Sequence, residues 1–400
     1  MAINKEQNKL NVPHLRFPEF HGEWCVSTIG EQFDLYSGNT PSRLNKEHFE
    51  GNVNWITSGE LKEHYISDTK EKISEDAATA NNLKLLHPGT FVIAIYGLEA
   101  DGVRGTGSIT CKESTISQAC MAFTQKGDVK NEFLYSWYKK HGNIIGIKYA
   151  QGTKQQNLSY DILEKFHIAY PSQDEQDKLI KFISLLDERI ASQSKLIEKL
   201  ESLIKGISNK LLNSKEGMPV RLGAVLKERS EKTKVNNQYT VLSSTVNGLF
   251  SQREYFSKDI ASENNVGYKI IRLHDVVLSP QNLWMGNINY NDKFDIGIVS
   301  PSYKIFFILN NFDKRYVAAM LKTHRALYGY KLISEQGASV VRRNLNLEAF
   351  EQLIFKIPTI DKQQEIGKTI SLLNSRLETE RTLKATYQSQ KQYLLRQMFI

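Results

Sequence analysis

Two stretches of the chain carry a helical pattern of apolar residues that is longer than a typical globular helix. After Pro171, apolar residues recur at alternating spacings of four and three as far as Leu211, as in the seam of a coiled coil. A second pattern of this kind begins after Pro358. We therefore predict two long helices, over residues 172–214 and 358–400, that pair antiparallel as a coiled coil. The predicted seam residues are Leu179, Ile183, Leu186, Ile190, Ile197, Leu200, Ile204, Ile207, Ile366, Ile370, Leu373 and Leu377.

The second helical stretch becomes too polar after Leu377 to form a coiled coil by itself. We expect it to pair with the first helix and to leave its far end for contacts with other surfaces. That end is rich in large apolar and aromatic residues, namely Tyr387, Tyr393, Leu394 and Phe399. The alternative is a frayed terminus, which is common at the ends of chains.

The residues before each helical stretch alternate short β-rich runs with turn clusters, which is typical of a mixed globular domain. The first half contains the run FVIAIY at 91–96, and the second contains DVVLSP at 275–280. We therefore predict an α+β fold. Two globular domains, over residues 1–171 and 215–357, are separated by the two long helices.

The two halves of the chain are related by an internal repeat. Residues 157–189 recur at 344–376 without a gap, and 12 of the 33 positions are identical. Repeating units of solenoid proteins are only about 20–50 residues long, so a duplicated domain with its helix is the better interpretation. Equivalent halves are most simply arranged about a twofold axis, and we expect pseudo-twofold symmetry. The identical pairs include Asn157/Asn344, Pro171/Pro358 and Gln176/Gln363.

Charge and composition limit the kinds of partner and the cellular location that we expect for the protein. The net charge of +8 is divided as −2 for residues 1–171, 0 for 172–213, +7 for 214–357 and +3 for 358–400. A basic excess permits a polyanionic partner such as nucleic acid. The three cysteines are scattered, and no apolar run reaches the ~18 residues of a membrane span. We expect a cytoplasmic protein with reduced thiols and no membrane association.

A search for catalytic motifs finds none with the required spacing and structural context. Gly367-Lys368-Thr369 resembles the end of a phosphate-binding loop, but it lies inside a predicted helix and lacks the earlier glycine. The nine histidines show no metal-binding spacing, and there is no G-x-S-x-G motif. We therefore expect no catalytic residue and no bound metal or cofactor in this chain.

Several polar loops are suited to contact DNA. Arginine and lysine pair with guanine edges, asparagine and glutamine pair with adenine edges, and hydroxyl groups bind phosphates or bases. The alternative for each loop is an ordinary solvated turn. The candidates in the first domain are Asn39, Thr40, Ser42, Arg43, Arg104, Gln151, Thr153, Lys154 and Gln155, and those in the second are Gln281, Asn282, Trp284, Ser339, Arg342 and Arg343.

These features together resemble the specificity subunit of a type I restriction–modification system. The opening VPHLRFPEFHGEWCVSTIGEQFDLYSGNTPS is similar to many N-termini of that family, which lead into a Ser-Gly-x-Thr-Pro-Ser turn. Each half also has an Asn-Leu pair, a strand ending in proline and a helix start with Ser-Leu-Leu-Asp/Asn-x-Arg. The second half departs from the pattern, because Lys232-Thr233-Lys234 stands where such a turn is expected.

The resemblance implies that each globular domain is a target-recognition domain that reads one half of a bipartite site on double-stranded DNA. The helices would act as a spacer and as the docking surface for two methyltransferase subunits. Those partners would supply the S-adenosylmethionine chemistry. Restriction/translocase subunits would add the reactions that depend on ATP and Mg. The chain itself would be a non-catalytic recognition subunit.

Two other functions are compatible with the sequence. A coiled-coil adaptor with two protein-binding heads would show the same helices and duplication. A stand-alone enzyme is the weaker alternative, because the catalytic motifs sought above are missing.

Overall fold

The computed structural model describes residues 11–100, 102–152, 156–213, 216–255, 264–336 and 343–400. They form two compact units: unit 1 contains residues up to 194 together with 382–400, and unit 2 contains residues 195–381. Each unit is a mixed α/β body with a segment of both long helices. The predicted α+β fold with two globular units and two long helices is confirmed. None of the described helices combines the length and the apolar character needed to cross a membrane.

Unit 1 is built around a five-stranded sheet of order β2-β9-β6-β7-β4, beside a three-stranded sheet β5-β3-β8 and the pair β1-β10. Its strands are β1 (Cys25–Thr28), β2 (Phe33–Ser37), β3 (Val53–Ile56), β4 (Tyr65–Ile66), β5 (Lys72–Ile73), β6 (Phe91–Ala94), β7 (Gly107–Thr110), β8 (Ser114–Ile116), β9 (Cys120–Gln125) and β10 (His167–Tyr170). Its helices are α1 (Ile29–Gln32), α2 (Glu75–Ala80), α3 (Asn131–Tyr149), α4 (Tyr160–Leu163) and the start of α5 (Gln173–Leu212).

Unit 2 repeats this plan with a four-stranded sheet of order β12-β19-β16-β17 and the pairs β11-β22, β13-β14, β15-β18 and β20-β21. Its strands are β11 (Met218–Arg221), β12 (Leu226–Arg229), β13 (Leu242–Thr245), β14 (Gly248–Ser251), β15 (Lys269–Arg272), β16 (Asp275–Leu278), β17 (Ile288–Tyr290), β18 (Ile296–Val299), β19 (Lys304–Ile308), β20 (Ser334–Gln336), β21 (Arg343–Leu345) and β22 (Ile354–Ile357). Its helices are α6 (Gln252–Tyr255), α7 (Lys314–Met320), α8 (His324–Leu332), α9 (Leu347–Glu351), the end of α5 and the part of α10 (Ile360–Met398) up to residue 381.

The two long helices run antiparallel within each unit. In unit 1, Asp187 of α5 binds Lys391 of α10 at 2.5 Å, and the Arg189 guanidinium lies 4.9 Å from the ring centroid of Tyr387. In unit 2, Glu201 of α5 pairs with Arg381 of α10 at 2.6 Å. Residue numbers therefore rise along one helix as they fall along the other.

The predicted seam residues lie on the packed faces of these helices. Six are buried: Leu179, Ile183, Ile204, Ile366, Ile370 and Leu377. The other six are half-buried: Leu186, Ile190, Ile197, Leu200, Ile207 and Leu373.

The far end of α10 packs into unit 1. Phe399 is buried in the hydrophobic core, and its ring centroid lies 5.2 Å from that of Phe133. The Nε2 atom of His141 lies 2.9 Å from the backbone oxygen of Ile400. The end of the second helix therefore contacts another surface, as expected, and does not fray.

The N-terminal PHLRFPEF segment crosses both long helices of unit 1. The backbone N–H of Leu15 donates to the oxygen of Gln397 in α10 at 3.0 Å. Arg16 pairs with the buried Glu175 of α5 at 2.7 Å, and Phe17 packs edge-on against Phe182. This motif therefore ties α5 to α10.

The repeated glutamines perform the same structural task in both units. The Gln176 amide donates to the oxygen of Pro171 at 3.1 Å and accepts the backbone N–H of Lys130, the residue that caps α3. Gln363 donates to Pro358 and accepts the N–H of Asp313, which caps α7. Because both glutamines are almost completely buried, these bonds satisfy groups that would otherwise be costly to bury.

Candidate nucleic-acid interface

In each unit, the loop after the central strand meets the segment just before the repeated Asn-Leu pair. The central strand is β6 in unit 1 and β16 in unit 2. We call residues 95–100 with 102–106, and residues 279–287, the post-strand loops. Gln156 and Arg343 are one repeat apart in sequence and stand immediately before Asn157 and Asn344. We call Gln156 and Arg343 the anchor residues, because both are held by the post-strand loop of their own unit.

The anchor residue of unit 1 is held by three bonds. The backbone N–H of Leu98 donates to the Gln156 oxygen at 3.0 Å. The backbone N–H of Gln156 donates to the Glu99 carboxylate at 2.8 Å, and this bond lowers the pKa of Glu99. The Arg104 guanidinium donates to the Gln156 side-chain oxygen at 2.9 Å. Two separate loops are thereby fixed against each other.

The anchor residue of unit 2 uses different chemistry at the same position. The backbone N–H of Arg343 donates to the oxygen of Gln281 at 3.1 Å. Its guanidinium stacks over Trp284, 4.7 Å from the ring centroid, and reaches the oxygen of Ser334 at 3.5 Å. Gln281 is exposed on the same loop, and Asn282 beside it is half-buried. The structure therefore brings together four predicted residues of unit 2: Gln281, Asn282, Trp284 and Arg343.

The predicted residues of unit 1 fall into two groups. Arg104 is half-buried at the anchor, and Gln151 is exposed and pairs through its backbone with Asn157. The turn around Asn39 and Arg43 packs instead beside the three-stranded sheet. There the Trp55 indole donates to the oxygen of Asn39 at 3.2 Å. Thr153, Lys154 and Gln155, and in unit 2 Ser339 and Arg342, lie outside the described residues.

Arg43 is already engaged within the chain. Its guanidinium forms two bonds with Glu71, at 2.9 and 2.8 Å, and lies 4.9 Å from the ring centroid of Phe49. Thr40 donates its backbone N–H to the Asn39 side chain, and the hydroxyl of Ser42 accepts the backbone N–H of Leu44. The exposed part of this turn is thus a pre-formed polar surface.

Sequence reasoning missed a polar cluster that joins the unit 1 body to both helices. The Nε2 atom of His64 lies 2.8 Å from Glu132 of α3, and its Nδ1 atom lies 3.3 Å from Asp187 of α5. Asp187 also binds Lys391 of α10. We call these four residues the His64 network. Members that follow one another along the chain are 55 or more residues apart and share no motif, so no local pattern in the sequence could have linked them.

Aromatic rings and charges set the protonation of the His64 network. The imidazole lies between Tyr65 and Tyr135, with centroid distances of 4.1 and 4.0 Å. Burial opposes the imidazolium charge, but the carboxylates of Asp187 and Glu132 outweigh it and raise the pKa of His64. Burial likewise opposes the charge on Asp187, yet its bonds to His64 and Lys391 hold its pKa below the ordinary value.

The side chains gathered at the two anchors can recognise base edges and phosphates. Amide, guanidinium and indole groups at this position supply hydrogen bonds and stacking surfaces. Within the described ranges, no group of three His, Cys, Asp or Glu side chains is placed to hold a metal ion.

Comparisons with known proteins identify a family and relatives that this chain is similar to. Residues 21–202 match the family described as the type I restriction modification DNA specificity domain. The type I restriction enzyme MjaIX specificity subunit of Methanocaldococcus jannaschii is 28% identical over 185 residues, which are 45% of this chain and 42% of that protein. The MjaVIII specificity subunit of the same organism is 25% identical over 213 residues, which are 53% of this chain and 46% of that protein. The chain thus matches these relatives over slightly less than half of their length.

Two solved structures share the fold over almost the whole chain. The crystal structure of a type I restriction–modification S subunit from M. genitalium has a TM-score of 0.61 at 17% identity, covering 97% of this chain and 99% of that one. A chain from a structure of type I restriction–modification complex assembly and conformational transition has a TM-score of 0.56 at 12% identity, covering 93% and 96%.

Proposed function

We propose that this chain, which belongs to the type I restriction–modification specificity family, is the DNA-recognition subunit of such a complex and reads a bipartite target with one half-site per unit. It would carry no catalytic group of its own. The observation that best supports this is the pair of anchors. The same framework position holds Gln156 in one unit and Arg343 in the other, as two different half-sites require.

The exposed faces of the helices favour a partner that binds twice. Leu185 and Leu372 occupy equivalent positions of the repeat and are 55% and 61% exposed. Leu196 and Leu383 form a second equivalent pair, at 40% and 36%. The two positions are 11 residues apart, about three helical turns, so they lie on one face. Repeated apolar side chains on a solvent face are typical of a protein contact.

We infer that two methyltransferase subunits dock on these leucines. S-adenosylmethionine would be bound by those subunits, and ATP and Mg by restriction/translocase subunits that join the complex. The proposal assigns DNA recognition and assembly to this chain and the chemistry to its partners.

A gel-shift assay tests the proposal. The chain is combined with its methyltransferase partner and titrated at a fixed salt concentration with target DNA and with scrambled DNA. Specific binding is expected to exceed non-specific binding by about 10³-fold or more. Equal affinity for both DNAs would contradict DNA recognition. Binding of the methyltransferase without any DNA preference would support the adaptor function instead.

A further inference from the structure

Helix α8 packs against the post-strand loop of unit 2 and leads directly to the anchor residue. A Cβ atom at Gly286, near the end of that loop, would lie 3.1 Å from the Cδ2 atom of Leu327. Ser334, which follows α8 in strand β20, has its backbone oxygen 3.5 Å from the Arg343 guanidinium. The helix therefore meets the post-strand loop at Leu327 and the anchor residue just beyond its own last turn.

Lys331 lies between these two contacts. It is one helical turn after Leu327, rotated from it by only about 40° around the helix axis, and three residues before Ser334. Its side chain is exposed. Tyr328, which is 65% exposed, is three residues before Lys331 and adjoins it on the helix surface. We call Lys331 and Tyr328 the α8 flank, an exposed basic and aromatic surface beside the post-strand loop.

The cations around this loop differ in how they are engaged. The post-strand loop of unit 2 has no charged residue of its own. The Arg343 guanidinium is stacked on the loop, and the Lys322 ammonium donates to the backbone oxygen of Gly286 at 2.9 Å. Within the described ranges Lys331 forms neither an ion pair nor a side-chain hydrogen bond, although Glu335 follows four residues later. Its ammonium group is therefore able to bind an anion from outside the chain.

The two helices that lead to the α8 flank have no acidic residue. Residues 314–332, which span α7 and α8, contain five Lys or Arg residues and no Asp or Glu. This agrees with the net charge of +7 over residues 214–357. Lysine side chains and tyrosine hydroxyls are both common ligands of DNA phosphates. The flank therefore has the charge and the hydrogen-bonding groups that suit a phosphodiester backbone.

The corresponding helix of unit 1 also packs on its post-strand loop, but its flank is neutral. Gly142 and Gly146 of α3 face that loop, and a Cβ atom at Gly146 would lie 3.2 Å from the Cγ atom of Arg104. The next residue after each glycine is exposed, and these residues are Asn143 and Ile147. Neither of them can pair with a phosphate as a cation.

The lysines of α3 are engaged or placed elsewhere. Lys139 lies 5.0 Å from the ring centroid of Tyr135, and Lys140 donates to the backbone oxygen of Phe399. Lys148 lies about 200° around the helix from the second of the two glycines, on the side away from the loop. A cationic flank beside the post-strand loop is therefore a difference between unit 2 and unit 1.

We propose that the α8 flank binds a phosphate of the DNA backbone next to the bases that unit 2 reads. Lys331 supplies the charge, and the hydroxyl of Tyr328 supplies a hydrogen bond. The contact does not depend on base sequence, and it positions the post-strand loop against its half-site. Because the matching flank of unit 1 is neutral, this contact belongs to unit 2. The inference rests on the proposed function, since DNA must lie at the anchor of unit 2.

The salt dependence of DNA binding tests the proposal. Fluorescence anisotropy of the chain with its methyltransferase partner gives Kd at a series of salt concentrations, for target DNA defined by the methylated motif and for scrambled DNA. Lys331→Gln should weaken binding of both DNAs by about five- to tenfold near 0.1 M salt. It should also lower the slope of log Kd against log salt by about 0.9. Lys331→Arg keeps the charge and should keep the slope.

Arg325→Gln is the matched control. Arg325 is exposed on the same helix, and its substitution removes the same charge, but it lies about 160° around the helix from Leu327. Its affinity should stay within about twofold of wild type, with an unchanged slope. Equal losses from Lys331→Gln and Arg325→Gln would overturn the proposal, because they would reflect net charge alone. Weaker binding of target DNA only, with an unchanged slope, would make Lys331 a base-reading residue and would equally overturn it.

The same measurements separate this inference from the proposed function. If wild type prefers target DNA and Lys331→Gln keeps the wild-type slope, the phosphate contact is wrong and DNA recognition stands. If wild type binds both DNAs equally and Lys331→Gln lowers the slope as expected, the phosphate contact stands and sequence recognition is wrong. Failure of wild type to bind either DNA would overturn both.

Discussion

His64 is a single residue that contacts several elements of unit 1, although no sequence motif identifies it. The imidazolium is held by carboxylates from two helices, α3 and α5, and by tyrosine rings on either side. Lys391 and Lys139 are the cations that face the same carboxylate and ring. The network is one of the points at which the unit 1 body is joined to α5 and α10.

We expect the stability of the chain to depend on pH through His64. Its pKa is raised on folding, so its contribution is fully present below the unfolded value of about 6.5 and is lost as pH rises through the folded pKa. The measurement is the free energy of unfolding, from denaturant titrations of wild type and His64→Gln between about pH 5.5 and pH 8. The difference between the two proteins should shrink as pH rises.

His87→Gln is the control for this experiment, because the His87 side chain is 84% exposed. Its difference from wild type should stay close to zero throughout. A His64→Gln difference that does not change with pH would contradict the charged state assigned to the network.

The polar loops show which site residues can be predicted from the sequence and which cannot. Residue type pointed to Arg104 and Arg343, and the structure places Arg104 against the anchor residue Gln156 and makes Arg343 the anchor residue of unit 2. It did not point to Glu99, because the role of this residue depends on a contact between loops more than 50 residues apart. Direct base contact by any of these side chains stays a prediction.

At the scale of elements, the long helices were the most predictable part. A heptad pattern and the proline-acidic starts placed them within two residues of their observed beginnings, Gln173 and Ile360. The strands that distinguish the two units were not predictable. In unit 1 the stretch after β3 joins the edge of β7, whereas unit 2 has the hairpin β13-β14. This pairing depends on long-range packing and leaves little local signal.

Phe399 should be a major source of stability for unit 1. The ring is 2% exposed and packs on Phe133, so Phe399→Ala removes a large buried side chain and leaves a cavity. We expect a loss of about 3–5 kcal/mol in the free energy of unfolding, measured by denaturant titration. Tyr393→Ala, in the last turns of α10 and 56% exposed, should change it by less than about 0.5 kcal/mol. Equal effects of the two substitutions would refute the docking of this end.

Helix α5 is expected to set the length of the unread DNA between the half-sites. Inserting four residues adds about one turn, ~6 Å, to a helix of 40 residues. The methylated motif should then keep both half-sites and gain a longer spacer, as measured by methylome sequencing. A seven-residue insertion, which keeps the heptad phase, is the comparison. Altered half-sites with an unchanged spacer would refute this role for α5.

At the scale of the whole molecule, duplication and divergence separate two tasks. The repeated parts are those that hold each unit together: the buried glutamines, the prolines and the helix starts. The exposed leucines Leu185 and Leu372 recur with them, as a partner that binds twice would require. The diverged parts are the anchors and the post-strand loops. The first group could be located in the sequence by its identity, whereas the second required the structure.

The most direct test of the two-site account is methylome sequencing of a host in which this chain is the sole specificity subunit and is supplied with its partner subunits. Wild type should yield a bipartite motif with an unread spacer. Arg343→Ala should relax the bases of one half-site only, and Gln156→Ala those of the other half-site only. An uninterrupted motif, or relaxation of both half-sites by either substitution, would contradict the account.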